Sequence, residues 1–230
     1  MAIAALIRHG AYQQLADTPS ALQPFPLTEE GAQEVRQQAQ QFGAWLQVQG
    51  YQLDPVIHAS TLLRAWQTAD IYAQELADYF AETPRIRTYS DLCERSVGAV
   101  ANLPLAEIER LLALDPRFEV PPAGWKSDSD YCLPFDGAES LMQAGARVAK
   151  HISAWRDATH DCNAKTIKLF VGHGASIRHA AFHMNVIKLC DIKKLSMYYG
   201  HPVVLDFADE SVFAPLFGDW KQRQKHDVPD

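Results

Sequence analysis

Two histidines in this chain stand where they could do chemistry. His9 lies in Leu6-Ile7-Arg8-His9-Gly10, and His173 lies in Gly172-His173-Gly174. Each follows an apolar run, Ile3 to Ile7 and Thr166 to Val171, that reads as a buried β-strand. In open α/β sheets, ligand sites gather at the carboxyl ends of strands. A histidine at such an end can be a nucleophile, and Arg8 beside it can hold an anion through paired hydrogen bonds. If the two strands are neighbours, the two rings face one reacting group from two sides. The competing reading is two independent core histidines.

A third strand end supplies another arginine. The short strand from Pro55 to Ala59 leads into Ser60-Thr61-Leu62-Leu63-Arg64-Ala65-Trp66-Gln67-Thr68-Ala69. Arg64 falls in the first turn of the helix that follows, and a helix N-terminus itself favours anions. An ordinary surface arginine is the alternative.

These side chains need a frame, and strands alternate with helices along much of the chain. A helix is expected from an N-cap at Thr28, with Glu29 and Glu30 complementing its dipole, to about Gly50. Further helices are expected over about Leu62–Tyr79, Leu103–Leu114, from a cap at Asp136 to about His160, and over Ala175–Val186. Arg85–Tyr89 reads as a strand, and Val203–Phe207 with Val212–Leu216 as a closing hairpin. Asp115 to Phe135 holds four prolines and a glycine and reads as a long loop, of the kind often tied to function. Within it, Trp125, Tyr131 and Phe135 could line a pocket or simply pack the loop down. The alternation implies a three-layer α/β/α sandwich around a central, mostly parallel sheet.

Composition narrows the function classes. The chain has 230 residues, a net charge of -7 and a pI near 5.7, so no basic stripe suits nucleic acid. Lys221 to Lys225 reads as a frayed polar terminus. No apolar stretch is long enough to span a bilayer, and the Met1–Ile7 run is too short for a signal-peptide core. A cytoplasmic protein with no membrane contact is expected. Cys93, Cys132, Cys162 and Cys190 form no CxxC pair and are expected as reduced, buried thiols. His179 and His183 are spaced i, i+4, but Ala180 stands where a zinc-hydrolase motif would carry Glu, so helix packing rather than metal is expected.

Four segments carry a resemblance: Leu6-Ile7-Arg8-His9-Gly10, Leu27-Thr28-Glu29-Glu30-Gly31, Ser60 to Ala69, and Gly172-His173-Gly174. In this order they resemble the histidine phosphatase superfamily, the phosphoglycerate mutase-like proteins. Asp91-Leu92-Cys93-Glu94-Arg95 and Gly137-Ala138-Glu139-Ser140-Leu141 are similar to two further family segments. The resemblance implies one phosphoglycerate mutase-like domain over residues 1–230, with 95–137 a substrate-specificity insertion or lid. It implies a phosphohistidine intermediate on His9, with Arg8, Arg64 and His173 binding the phosphoryl group. Glu94 would be the general acid and then the general base. Neither metal nor cofactor is implied, and the partner would be a small phosphorylated substrate or a phosphoprotein.

Two departures favour a metal-independent phosphomonoester hydrolase over a mutase. Ala11-Tyr12-Gln13 follows the Arg-His-Gly where mutases carry an acidic residue, and Ser96-Val97-Gly98 replaces their Tyr-Gly after Glu-Arg. A mutase would need a substrate-derived bisphosphate to prime His9. A phosphate-binding scaffold with weak turnover is the alternative from another class. Oligomeric state has no signature in the sequence.

Overall fold

The computed structural model describes residues 2–159, 165–207 and 214–224. In chain order the elements are β1 (Ile3–Arg8), α1 (Glu29–Gln49), β2 (Gln52–Leu53), β3 (Val56–Ser60), α2 (Leu63–Glu75), β4 (Arg85–Tyr89) and α3 (Leu105–Leu114). They continue with α4 (Leu141–Ala158), β5 (Thr166–Gly172), α5 (Gly174–His183), β6 (Leu195–Ser196), β7 (Pro202–Asp206) and β8 (Lys221–Gln222).

The six-stranded sheet runs β4-β3-β5-β1-β7, with β2 also on β5. All its pairings are parallel except β1 with β7. A parallel sheet is covered on both faces, and so its strands read as unbroken apolar runs. β1 shows why: Ile3, Ala5 and Ile7 pack under α1 and α2 with Phe42, Leu46 and Tyr72, while Ala4 and Leu6 face α4 and α5 with Val148, Ile152 and Ile177. Full burial of a side chain such as Phe42 contributes about 2–3 kcal/mol. This is the expected three-layer α/β/α sandwich.

Thr28 caps α1 as expected, its hydroxyl accepting from the Gly31 N–H at 2.9 Å, which stabilises the helix by about 1 kcal/mol. The cap of α4 differs from expectation. It is Ser140, in a reciprocal capping box with Gln143, and not Asp136. Glu139 is bound elsewhere, to Arg147 and to the Ser96 N–H, and so leaves the cap to its neighbour. α4 and α5 cross closely because Gly145 has no side chain; a Cβ there would collide with that of His179.

Other boundaries also differ. α2 ends at Glu75, and the chain tightens into a 3₁₀ turn over Ala77–Tyr79. Of the expected hairpin, β7 forms, 208–213 lie outside the described residues, and Leu216 and Phe217 meet Val204 in an isolated antiparallel bridge. Lys221–Gln222 is not frayed but pairs as β8 with β6. Cys93 is buried as expected, but Cys132 and Cys190 are exposed, and Cys162 lies outside the described residues.

Residues 95–137 build a third, smaller core. Val97, Val100, Ile108, Leu112, Trp125 and Leu133 are buried together, with Tyr131 and Phe135 packed against them. The indole N–H of Trp125 donates to Glu109 at 3.0 Å. The aromatics of the long loop therefore pack it down. This cluster also buries Ala21, and the Leu105 N–H donates to the Asp17 carbonyl at 2.8 Å, tying α3 to the loop between β1 and α1. Among the described residues, no helix is long and apolar enough to cross a membrane.

Candidate active site

β3, β5 and β1 lie side by side, and their carboxyl ends bring the predicted residues to one edge. Arg8 pairs with Gly172 in register, and the His9 N–H donates to the Gly172 carbonyl at 3.0 Å. The rings of His9 and His173 sit 5.0 Å apart, centre to centre, in an edge-on arrangement. Arg64 arrives from the first turn of α2, fully buried.

The hydrogen bonds settle which His9 nitrogen carries the proton. Nδ1 lies 2.7 Å from the Gly10 carbonyl oxygen. A carbonyl only accepts, so Nδ1 carries the proton and donates. Nε2 then keeps its lone pair, and the Arg64 Nε–H donates to it at 3.2 Å. A histidine whose second nitrogen is fixed in this way is locked in tautomer and ring orientation.

His173 is fully buried. Its Nε2 lies 2.8 Å from the Ser60 hydroxyl, whereas Nδ1 has no partner. Burial, then Arg64, His9 and Arg8, hold it well below the ordinary histidine range, so the ring is neutral. Arg8 donates to the Met197 carbonyl at 3.0 Å and lies 4.1 Å over the Tyr199 ring. Gly174 makes room for it: a Cβ there would sit 3.1 Å from the Arg8 side chain.

Arg64 has a second occupation. It donates to the Gln23 carbonyl at 2.7 Å and to those of Ser20 and Ala21 at 2.9 and 3.0 Å. The loop between β1 and α1 thus folds over the His9 edge, held there by the same guanidinium. Arg64 also lies 4.4 Å over the Tyr12 ring. The Tyr12 hydroxyl is buried without a partner, and burial raises it to about 12, so it stays protonated as a donor.

Glu94 reaches the neighbourhood from the other side. Its carboxylate accepts from the Ala175 and Ser176 N–H groups at 3.2 and 3.1 Å, at the start of α5, and from the Arg95 N–H at 2.9 Å. It is an electrostatic neighbour of both Arg64 and Tyr12. With Ser20, Ala21, Arg95 and Lys126 it lines a narrow cleft. Asp128 instead faces a different cavity of about 290 Å³, with Ser129, Arg178 and His179.

The structure therefore gathers Arg8, His9, Arg64 and His173 at one edge, with Glu94 flanking it. Tyr12, Ser60 and Tyr199 join them without having been singled out. Ser60 stood inside a quoted motif and Tyr12 in the departure that follows Gly10, but Tyr199 is far along the chain and carried no signal of an arginine partner. His179 is a packing residue: Nδ1 meets the Ala175 carbonyl at 2.7 Å and Nε2 the Ser129 hydroxyl at 3.1 Å. Among the described residues, no group of three or more metal-ligating side chains converges.

These features define an α/β protein whose sheet edge places cationic and neutral donors around one imidazole lone pair, a setting able to hold a small oxyanion. The profile of the histidine phosphatase superfamily, branch 1, matches residues 4–219, and the chain belongs to that family. A 2,3-bisphosphoglycerate-dependent phosphoglycerate mutase of Leifsonia xyli is 29% identical over 205 residues, covering 83% of this chain and 78% of the relative. Among solved structures, a mycobacterial glucosyl-3-phosphoglycerate phosphatase is similar at a TM-score of 0.65 and 18% identity, over 88% of this chain and 89% of the other. The alpha-ribazole phosphatase of Shigella flexneri is similar at a TM-score of 0.65 and 21% identity, over 94% of each.

Proposed function

We propose that this chain is a metal-independent phosphomonoester hydrolase that works through a phosphohistidine on His9. The observation that carries the reading is the tautomer: the Gly10 carbonyl accepts from Nδ1–H and leaves the Nε2 lone pair facing Arg64. In the first step that lone pair attacks phosphorus, and the bond from phosphorus to the ester oxygen breaks. Glu94, as the acid, gives its proton to the departing alcohol. In the second step water attacks, the P–N bond breaks, and Glu94, now the base, takes the water proton. Covalent catalysis thus divides a hard hydrolysis in two.

Phosphoryl transfer asks the protein mainly for positioning and charge. Arg8, Arg64 and His173 would bind the phosphoryl oxygens, His173 as a neutral donor through its unpartnered Nδ1–H, with the Ser60 hydroxyl donating to Nε2. Residues 95–137, with their own small core against the β1–α1 loop, would form the lid that selects the alcohol. The substrate would be a small phosphomonoester, as the names of the two similar phosphatases suggest.

A mutase is the second reading, favoured by the Leifsonia relative. Hydrolysis of an aryl phosphate between pH 5 and 8 with EDTA present, in wild type and His9→Ala, tests the proposal. Turnover that survives in His9→Ala, or chelator-sensitive turnover, would overturn it. Phosphate isomerisation that requires a bisphosphate primer would install the mutase.

A further inference from the structure

Arg147 and Glu139 spend their hydrogen bonds away from His9, Arg64 and His173, yet together they hold the chain on both sides of Glu94. Arg147 Nη1 fans over three carbonyls, Ser90 at 3.1 Å, Asp91 at 2.8 Å and Cys93 at 3.2 Å. These belong to the 3₁₀ turn Ser90–Leu92 and the residue just before Glu94. The other two guanidinium nitrogens donate to the two carboxylate oxygens of Glu139. Glu139 in turn holds Ser96, just past Glu94: Oε1 accepts from the Ser96 N–H at 3.0 Å, and the Glu139 N–H donates to the Ser96 carbonyl at 3.0 Å.

We infer that the Arg147–Glu139 pair is a positioning device that fixes where the Glu94 carboxylate stands relative to the phosphoryl site. The geometry has three anchors. The turn before Glu94 hangs from Arg147, Ser96 after it hangs from Glu139, and the carboxylate itself rests on the first N–H groups of α5. Arg147 sits on α4, two residues beyond the Gly145 contact that seats α4 against α5. The clamp and the carboxylate's landing place are therefore carried by two helices that cannot shift independently. A planar fork suits this task; a lysine would keep the charge but lose the paired geometry.

The inference rests on the proposed acid–base role of Glu94, and its test separates the two. kcat/KM reports the enzyme up to phosphoryl transfer to His9, before water is involved. A good leaving group such as 2,4-dinitrophenolate needs no proton, whereas an alkoxide does. Glu94→Gln is expected to lower kcat/KM for an alkyl phosphate by about 10²-fold or more, with little change for 2,4-dinitrophenyl phosphate. Arg147→Lys and Glu139→Gln are expected to show the same leaving-group signature, at about tenfold to a hundredfold for the alkyl ester. A merely structural lesion would lower both substrates together.

If Glu94→Gln shows the signature and both clamp variants do not, the positioning role is overturned and the acid assignment stands. If Glu94→Gln lowers both substrates equally, the acid assignment fails and the inference goes with it. Glu139→Gln keeps an acceptor for Ser96 and carries the test if Arg147→Lys does not fold.

Discussion

Among the described residues, two pairs of adjacent histidines lie against the sheet, and they are bonded in opposite ways. His9 and His173 lie 5.0 Å apart at the carboxyl edge, and His58 of β3 and His151 of α4 lie 5.2 Å apart further down. In the lower pair the rings satisfy each other, His58 Nδ1 to His151 Nε2 at 3.0 Å. His151 Nδ1 faces the Asp91 carboxylate at 3.5 Å, and His58 Nε2 faces the Tyr89 hydroxyl at 3.5 Å. A single direction of donation, Tyr89 to His58 to His151 to Asp91, uses every ring nitrogen. In the upper pair each ring is fixed from outside, by Gly10 and by Ser60, and each keeps one nitrogen directed elsewhere. Proximity is the same in both pairs; the destination of each nitrogen differs, and under the proposed function that difference separates the reacting pair from the structural one.

The comparison breaks most sharply at His9. His9→Ala is expected to lower aryl phosphate turnover by at least about 10⁴-fold, with the thermal midpoint little changed; near-wild-type turnover would place the upper pair with the lower one. His173→Ala is expected to cost about 10²–10³-fold in kcat, the loss of one donor to the phosphoryl oxygens. Arg64→Lys removes the fork that meets both His9 and the loop. A loss of about 2 kcal/mol, roughly thirtyfold in kcat/KM, is expected. Limited proteolysis should cut the 13–23 loop faster in the same variant, and an unchanged cleavage rate would count against the loop contact.

The lower pair should respond in stability and not in rate. His58→Phe is expected to keep turnover within about twofold, because the half-buried His58 ring hydrogen-bonds neither His9, Arg64 nor His173. Burial, then Lys168 and His151, lower His58 from 6.5 to about 3, opposed by Asp54 and joined by Arg87. A histidine lowered in the folded state contributes fully above its unfolded value of 6.5 and loses that contribution as the pH falls towards about 3. Urea midpoints should therefore fall from pH 7 to pH 4 in wild type and fall less in His58→Phe. Some slope remains in the variant, because burial also lowers His151 and His179. An equal or steeper fall in His58→Phe would remove His58 as a source of acid sensitivity.

Much of this was legible in the chain. Strand ends are local events, so Arg8, His9, Arg64 and His173 could be placed from apolar runs that stop at a turn. The three-layer fold followed from alternation alone. What stayed hidden depends on long-range contact. Tyr199 reaches Arg8 across most of the sequence, and nothing near it marks an arginine partner. The cap at Asp136 misled because acidic and hydroxyl residues compete for the same position; Ser140 wins once Glu139 is drawn to Arg147. Lys221 and Gln222 form a strand because β6, not any local propensity, supplies their partner.

Arg64 binds the His9 Nε2 lone pair and three loop carbonyls with one flat group. An oxyanion arriving at that group must take donors that the loop is already using. In the proposed enzyme, the affinity for released phosphate is then set by a contest with the protein's own backbone. A looser loop would give tighter product inhibition, and a loop that recloses firmly would act as the internal competitor that sweeps phosphate out.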